Sequence, residues 1–336
     1  MNRFTGKTIA LIVVLIALGV SAWFLFGNTV GGIEYANADR YTAGDATVTD
    51  RVENLFVDWT AGEVSIAYHS GSGIIISETA NKALDDGDKL RWWLDGTTLR
   101  IRYAKAGLRF SFGLEKKLTV SLPEGMVLKS ADISSTSGNL KIPALAAEEI
   151  RLGSTSGGIS AVTSAAKKLS ASSTSGGIAL RQDDDADTVE LHSTSGGIAC
   201  TLNNVKTVTG NATSGGIALS IDGKAGTVKL GSTSGAIALA IASADTVETA
   251  ATSGNVTGSV ASFTGLKAGS TSGSITLQLP AEPGFTCKAE TTSGDFSSGL
   301  PLTKNGDTYT CGDGSAVCSI GTTSGNIRID PLPHEQ

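Results

Sequence analysis

Few residues in this chain of 336 amino acids are of a kind that does chemistry, and their spacing limits what they can do. The three histidines, His69, His192 and His334, stand far apart, so neither a catalytic triad nor a metal cluster assembles from them. The cysteines, Cys200, Cys287, Cys311 and Cys318, include no Cys-x-x-Cys pair, which argues against zinc. Asp183, Asp184, Asp185 and Asp187 could offer oxygens to calcium. They lack the glycine spacing of an EF-hand or calcium-binding β-roll and read as a solvated charge run. No motif fixes a pair of carboxylates. The expectation is therefore no catalytic residue, no cofactor, no metal and no enzyme. A net charge of −6 also disfavours nucleic acid, whose phosphates need clustered Lys and Arg.

What does recur is Thr-Ser-Gly, ten times, including Thr155-Ser156-Gly157, Thr174-Ser175-Gly176 and Thr194-Ser195-Gly196. The intervals between its glycines are 19 to 21 residues, except for a last one of 31 that ends at Gly325. Two residues after each Gly stands an apolar side chain, from Leu140 and Ile159 to Ile327. Seven before it the column is again apolar apart from Cys287 and Cys318, and six before it all ten residues are polar. Neighbouring columns thus alternate, and period 2 means strand. The residue after the Gly is mostly Gly, Asn or Asp, types that tolerate positive φ, so the triplet predicts a corner between two short strands. This absorbs much of the surplus of 42 Gly.

A unit of this length cannot bury its own apolar face but can do so stacked on copies of itself. The expected fold is all-β: a right-handed parallel β-solenoid of about ten 19–20-residue Thr-Ser-Gly coils over residues 126–330. All four Trp and most other aromatics precede residue 113, so residues 51–125 are expected to form an N-terminal β cap with irregular first coils. Asp95-Gly96 is a hairpin-type turn there. Ser298 to Ala316 reads as an inserted loop, after which the terminal coil closes on Pro331 and Pro333, with 331–336 as a tail.

The N-terminus carries an uncharged apolar run from Ile9 to Phe26, preceded by Arg3 and Lys7. Such a run just reaches across a ~30 Å hydrocarbon core, and positive flanks stay in the cytoplasm. Residues 1–7 are expected to be a cytoplasmic tail, 8–26 one transmembrane helix acting as a signal anchor, and 27–50 a linker. The rival is a cleaved signal peptide ending at Val20-Ser21-Ala22, which would leave Trp23-Phe24-Leu25-Phe26 as an apolar new terminus. Either way the remainder is exported. The expected location is the cell membrane, single-pass, with the C-terminal domain extracytoplasmic.

The Thr-Ser-Gly repeat, with Leu122-Pro123-Glu124-Gly125 before it and the Asp95-Gly96 hairpin upstream, resembles the bacterial putative adhesins of the cell envelope (LiaG-like, a domain of unknown function). The resemblance spans roughly residues 50 to 330. It implies an extracytoplasmic β-solenoid, often membrane-tethered, with no catalytic residues to carry over.

Three features could make contacts. Ala179, Ala199, Ala218 and Ala238, three after their glycines, predict a smooth outward stripe that could dock a partner. The Thr and Ser columns predict either a glycan-binding hydroxyl ladder or hydroxyls that bond the corner backbone and each other, the second being favoured. Cys200 falls in a column with Leu180, Leu219 and Leu239 and reads as a small buried hydrophobe. For the other thiols, Cys311–Cys318 is the first choice of disulfide, pinning the inserted loop, and Cys287–Cys318 the second, because they share an inward column. The expected role is a membrane-tethered, non-catalytic adhesion or envelope interaction module, partnered by the membrane through residues 8–26 and by an envelope protein or glycan. The alternatives are a polysaccharide-active enzyme or a purely structural spacer.

Overall fold

A computed structural model describes residues 35–107 and 113–333. The anchor expected at 8–26, the cytoplasmic tail, His334 and part of the linker lie outside the described residues. Among the described residues no helix is long and apolar enough to cross a membrane, and the helical content is one three-residue 3-10 turn, Ala38–Arg40. The rest is strand and turn, arranged as a parallel, solenoid-like sheet. The chain divides into two bodies, with the boundary between Asp184 and Asp185. Below, a coil is a strand, a corner and a second strand, named by its corner glycine.

In the first body the Gly138 coil starts with Leu128–Ser135 and continues into the long strand Leu140–Ser154. That strand pairs in parallel with Ile159–Ser164 and, further on, with Lys168–Ser173, which belong to the next two coils. Matching columns stack one on another: Ile150 lies against Ala131 and Leu169, and Leu140 against Ile159. These side chains are buried. The alternation read from the sequence is the alternation of the strands.

A further coil lies inside residues 51–125, the stretch expected to form a cap with irregular first coils. Asn54–Trp59 and Glu63–His69 flank Thr60-Ala61-Gly62, a degenerate triplet. It obeys the column rule, with buried Leu55 seven before the glycine and buried Val64 two after. The coil pairs with the Gly138 coil on one side. On its other side lie Thr98–Arg102 and Lys116–Pro123, strands from later in the chain. The antiparallel strands Arg91–Asp95 and Ile74–Ala80 cover these in turn.

The second body runs in parallel register from the Gly196 coil to the Gly273 coil. Next comes the last coil of the chain, not the next one. Ala316–Thr322 pairs with Phe263–Ser270 on one side and with Gly284–Thr291 on the other. Ile327–Pro331 likewise lies between Ile275–Leu279 and Phe296–Ser298. The stretch expected to be a loop is instead a hairpin, Thr303–Asn305 and Thr308–Gly312. Its second strand runs antiparallel along Gly284–Thr291. A coil left on the edge would expose unpaired N–H and C=O groups on one side. Placed one coil inward, it has partners on both sides.

The corner is also built differently from the expectation. The glycines of the ten Thr-Ser-Gly triplets are not at positive φ, and neither are the residues that follow them; among the coil corners only Gly62, in the degenerate triplet, is, at φ 91°. Glycine is required because the coils touch there. A Cβ on Gly157 would sit 2.0 Å from the Gly138 carbonyl oxygen, and one on Gly235 2.0 Å from that of Gly215. The asparagines after the glycine serve as acceptors: Asn139 Oδ1 receives the Gly158 N–H at 2.8 Å and Asn255 Oδ1 the Ser274 N–H at 2.9 Å. The Thr and Ser of the triplet do not hold the corner with their hydroxyls, contrary to the favoured expectation. That bond comes from the residue three before the glycine, where Ser135, Ser154, Ser232 and Ser270 accept the glycine N–H at 2.8–3.0 Å.

Candidate functional site

Coil stacking turns each sequence column into a line on the surface. In the second body Ala199 lies beside Ala218, Ala218 beside Ala238, Ala238 beside Thr257 and Thr257 beside Thr276. The three alanines and Thr257 are exposed. Ala179 belongs to the first body, where it is exposed and lies beside Ser160. Parallel, in-register strands repeat each position every ~4.8 Å, so the stripe is regular and nearly flat.

Within each body the triplets form a second line. Ser156, Ser175, Ser195 and Ser214 are exposed, and Thr155 and Thr174 are exposed as well. Their backbones continue the ladder through the corner. Thr213 N donates to Ser193 O at 3.0 Å and Ser214 N to Thr194 O at 2.8 Å, and the pattern repeats at Thr233 and Ser234. The backbone is thus satisfied without the hydroxyls, and the corner presents a row of hydroxyls to solvent.

The first body concentrates charge. Lys116 is fully buried, with Glu78 at 2.6 Å and only 5% exposed. Its ammonium also donates to the carbonyls of Asp88 and Tyr103, both at 2.5 Å. It lies over the rings of Tyr103 and Trp59, at 4.3 and 5.0 Å from their centres. Burial lowers the Lys116 pKa, opposed by Glu78, and raises that of Tyr103 to about 12. Every donor direction is used, so this group holds the cap and offers no free valence to a ligand.

A shallow groove of about 200 Å³ opens on the same body, lined by Phe56, Arg100, Asp132, Glu149 and Arg151 among others. Arg151 pairs with Glu149 at 2.6 Å and Arg100 with Asp95 at 3.1 Å, while Arg100 also lies over Phe56. Asp132 has no hydrogen-bonded partner for its carboxylate among the described residues. Burial raises its pKa, partly offset by Arg151. The acidic run is tied into the structure: Asp183 pairs with Arg181 at 2.5 Å, Asp184 accepts the Ala165 N–H and Asp185 the Asn204 amide.

Cys200 is buried beside Leu219, as its column requires, and burial pushes its pKa up to about 12. Cys318 lies directly opposite Cys287. Cys311 lies opposite Phe285 on the other side of the same strand, and its thiol donates to Ala281 O at 3.7 Å.

Stacked parallel coils, one contact-making glycine per corner and antiparallel end strands define a solenoid-like repeat protein. The chain belongs to the Toastrack DUF4097 family, whose model matches residues 52–265 and 259–330. No curated protein matches it. Three solved structures are similar at low identity. A "putative cell adhesion protein" from Clostridium sporogenes is 13% identical over 87% of this chain and 100% of its own, with a TM-score of 0.19. A "putative lipid binding protein" from Parabacteroides distasonis is 15% identical over 86% and 96%, with a TM-score of 0.40. A "putative adhesin" from Bacteroides fragilis is 11% identical over 86% and 96%, with a TM-score of 0.31. At these scores they carry no argument about what this chain does.

Proposed function

We propose that the chain is a membrane-tethered, extracytoplasmic and non-catalytic module that adheres to an envelope glycan. The observation that carries this reading is the in-register exposed surface of the second body, where Ala199, Ala218 and Ala238 run into Thr257 while the triplet hydroxyls line the corner. Small side chains leave a regular surface that costs little side-chain entropy on binding, and hydroxyl rows match the donors and acceptors of a sugar. The apolar run Ile9 to Phe26 supports the tether. An exported part near −8 favours a neutral ligand over an anionic surface.

The test is retention of the full chain on cell-wall fractions. Ala218→Lys with Ala238→Lys should leave the melting curve unchanged and abolish retention. Retention that survives both changes removes this face from the reading. No retention of the unaltered chain on either glycan or envelope protein leaves the spacer reading in its place. The enzyme reading draws on Asp132 alone, and turnover of a wall polysaccharide that Asp132→Asn abolishes would establish it.

A further inference from the structure

The non-sequential order of the last coils brings two thiols together. Cys318 sits on Ala316–Thr322, the strand inserted between Phe263–Ser270 and Gly284–Thr291. Cys287 sits on the outer of those neighbours, directly opposite Cys318 in parallel register. In-register neighbours are ~4.8 Å apart, inside the Cα range a disulfide spans. Both side chains point into the core, 0% and 2% exposed. Cys311 is aimed elsewhere, at Ala281 O, and Cys200 lies far off beside Leu219.

We infer that Cys287 and Cys318 form a disulfide that staples the inserted terminal coil to the outermost coil. The oxidant is an external disulfide, from oxidised glutathione or a thiol–disulfide oxidoreductase. One cysteine thiolate attacks a donor sulfur and expels a donor thiolate. The second cysteine thiolate then attacks the mixed disulfide and expels the other. The pair loses two electrons and two protons overall, and the donor disulfide becomes two thiols. Exchange occurs before the coil closes, because the closed core bars the donor. Closure afterwards shields the bond from reductants. The bond closes a chain segment of about 30 residues, so it restricts the unfolded chain and ties the inserted coil to its outer neighbour. Its persistence in the cell rests on the extracytoplasmic reading, since a cytosol would keep the pair reduced.

The deciding experiment supplies the oxidant and so does not depend on export. The full chain is unfolded, reduced and refolded in nonionic detergent with a reduced/oxidised glutathione buffer. Free thiols are then alkylated and the tryptic peptides mapped without reduction. The expected result is peptide 268–288 linked to peptide 305–328 in the unaltered chain and in Cys311→Ser, and the link absent in Cys318→Ser. Chain refolded under reducing conditions throughout should melt about 5–10 °C lower in its second body than chain refolded in the glutathione buffer. Four alkylated thiols, a bond within peptide 305–328, or a link that survives Cys318→Ser would overturn the assignment. Should Cys318→Ser fail to fold, Cys311→Ser alone decides, because Cys318 is then the sole cysteine in peptide 305–328. Free thiols in protein taken from the native envelope, beside a link formed in the refolded chain, would count against export and not against the pairing.

Discussion

The two bodies solve one problem in the same way and fill the solution with different chemistry. In the first, the first coil of the chain lies one place inward, between the Gly138 coil and strands that come later. In the second, the last coil lies one place inward, between the Gly273 and Gly294 coils. Antiparallel strands cover the outer coil in each. The interiors differ. The first cap buries a lysine and its carboxylate against the buried Trp59 ring and the half-buried Tyr103 ring. The second buries thiols and phenylalanine, with Phe263 and Phe285 6.1 Å apart between ring centres. Inward placement follows from the open-edge problem that any stacked sheet has. The filling of each cap is local and depends on which side chains the crossing strands bring.

The strongest way to break this comparison is to delete residues 316–336. A sequentially stacked solenoid would lose only its end coil. Here the deletion empties an interior layer, including buried Ile320, Ile327 and Ile329, worth about 5–9 kcal/mol in apolar burial alone. The second body should lose its cooperative transition by circular dichroism and become protease-sensitive back to the Gly273 coil. A clean transition with little loss would refute the inserted order.

Charge in the first cap gives the next largest effect. Glu78→Ala should cost about 3–5 kcal/mol in denaturant unfolding, because it strands a buried ammonium. Pairing it with Lys116→Met should recover most of that loss. If the double variant is no better than the single, the pair is not what makes the first cap different.

The corner is common to both bodies, and it predicts two unequal outcomes at adjacent glycines. Gly157→Ala drives a Cβ into the neighbouring coil and should cost about 1–3 kcal/mol or more. Gly158→Ala, whose Cβ would meet nothing nearer than 3.6 Å, should be close to neutral. Equal costs would restore backbone conformation, and not contact, as the reason for the glycine.

The smallest effect is titration of the first body. Burial raises the pKa of Asp132 in the folded state, so folding is favoured by its protonation. That contribution is present in acid and is lost as the pH rises through the folded pKa. Asp132→Asn should therefore gain stability relative to the unaltered chain between about pH 3 and pH 7. A constant difference across that range would place Asp132 in contact with solvent.

Much of the fold was legible because the repeat is local. The inward columns at Leu140, Ile159 and Ile217 and the outward position of Ala218 and Ala238 follow from period 2 alone, and the structure has them there. Irregular first coils are expected within residues 51–125, but the triplet does not mark the Gly62 coil among them, because Ala61 replaces the serine and Gly62 lies 76 positions before Gly138. Applying the column rule to Leu55 and Val64 was the signal that could have found it. The triplet marks the corner, but its glycine is needed there for contact between coils and not for positive φ. Composition cannot distinguish a glycine needed for φ from one needed for contact. The buried Lys116–Glu78 pair had no signal, since the two residues meet only through strand crossing. Cys287 and Cys318 were recognisable as one column, but which thiol faces which depended on the order of the coils.

The sequence by itself determined the strand periodicity, the corner triplet and which side chains face in or out, because those are properties of a single coil and repeat with it. Only the tertiary structure decided the order in which the end coils stack. Every coil offers the same edge of N–H and C=O groups, so one local pattern fits any neighbour. The choice falls to the non-local contacts that give the Gly62 and Gly325 coils partners on both sides.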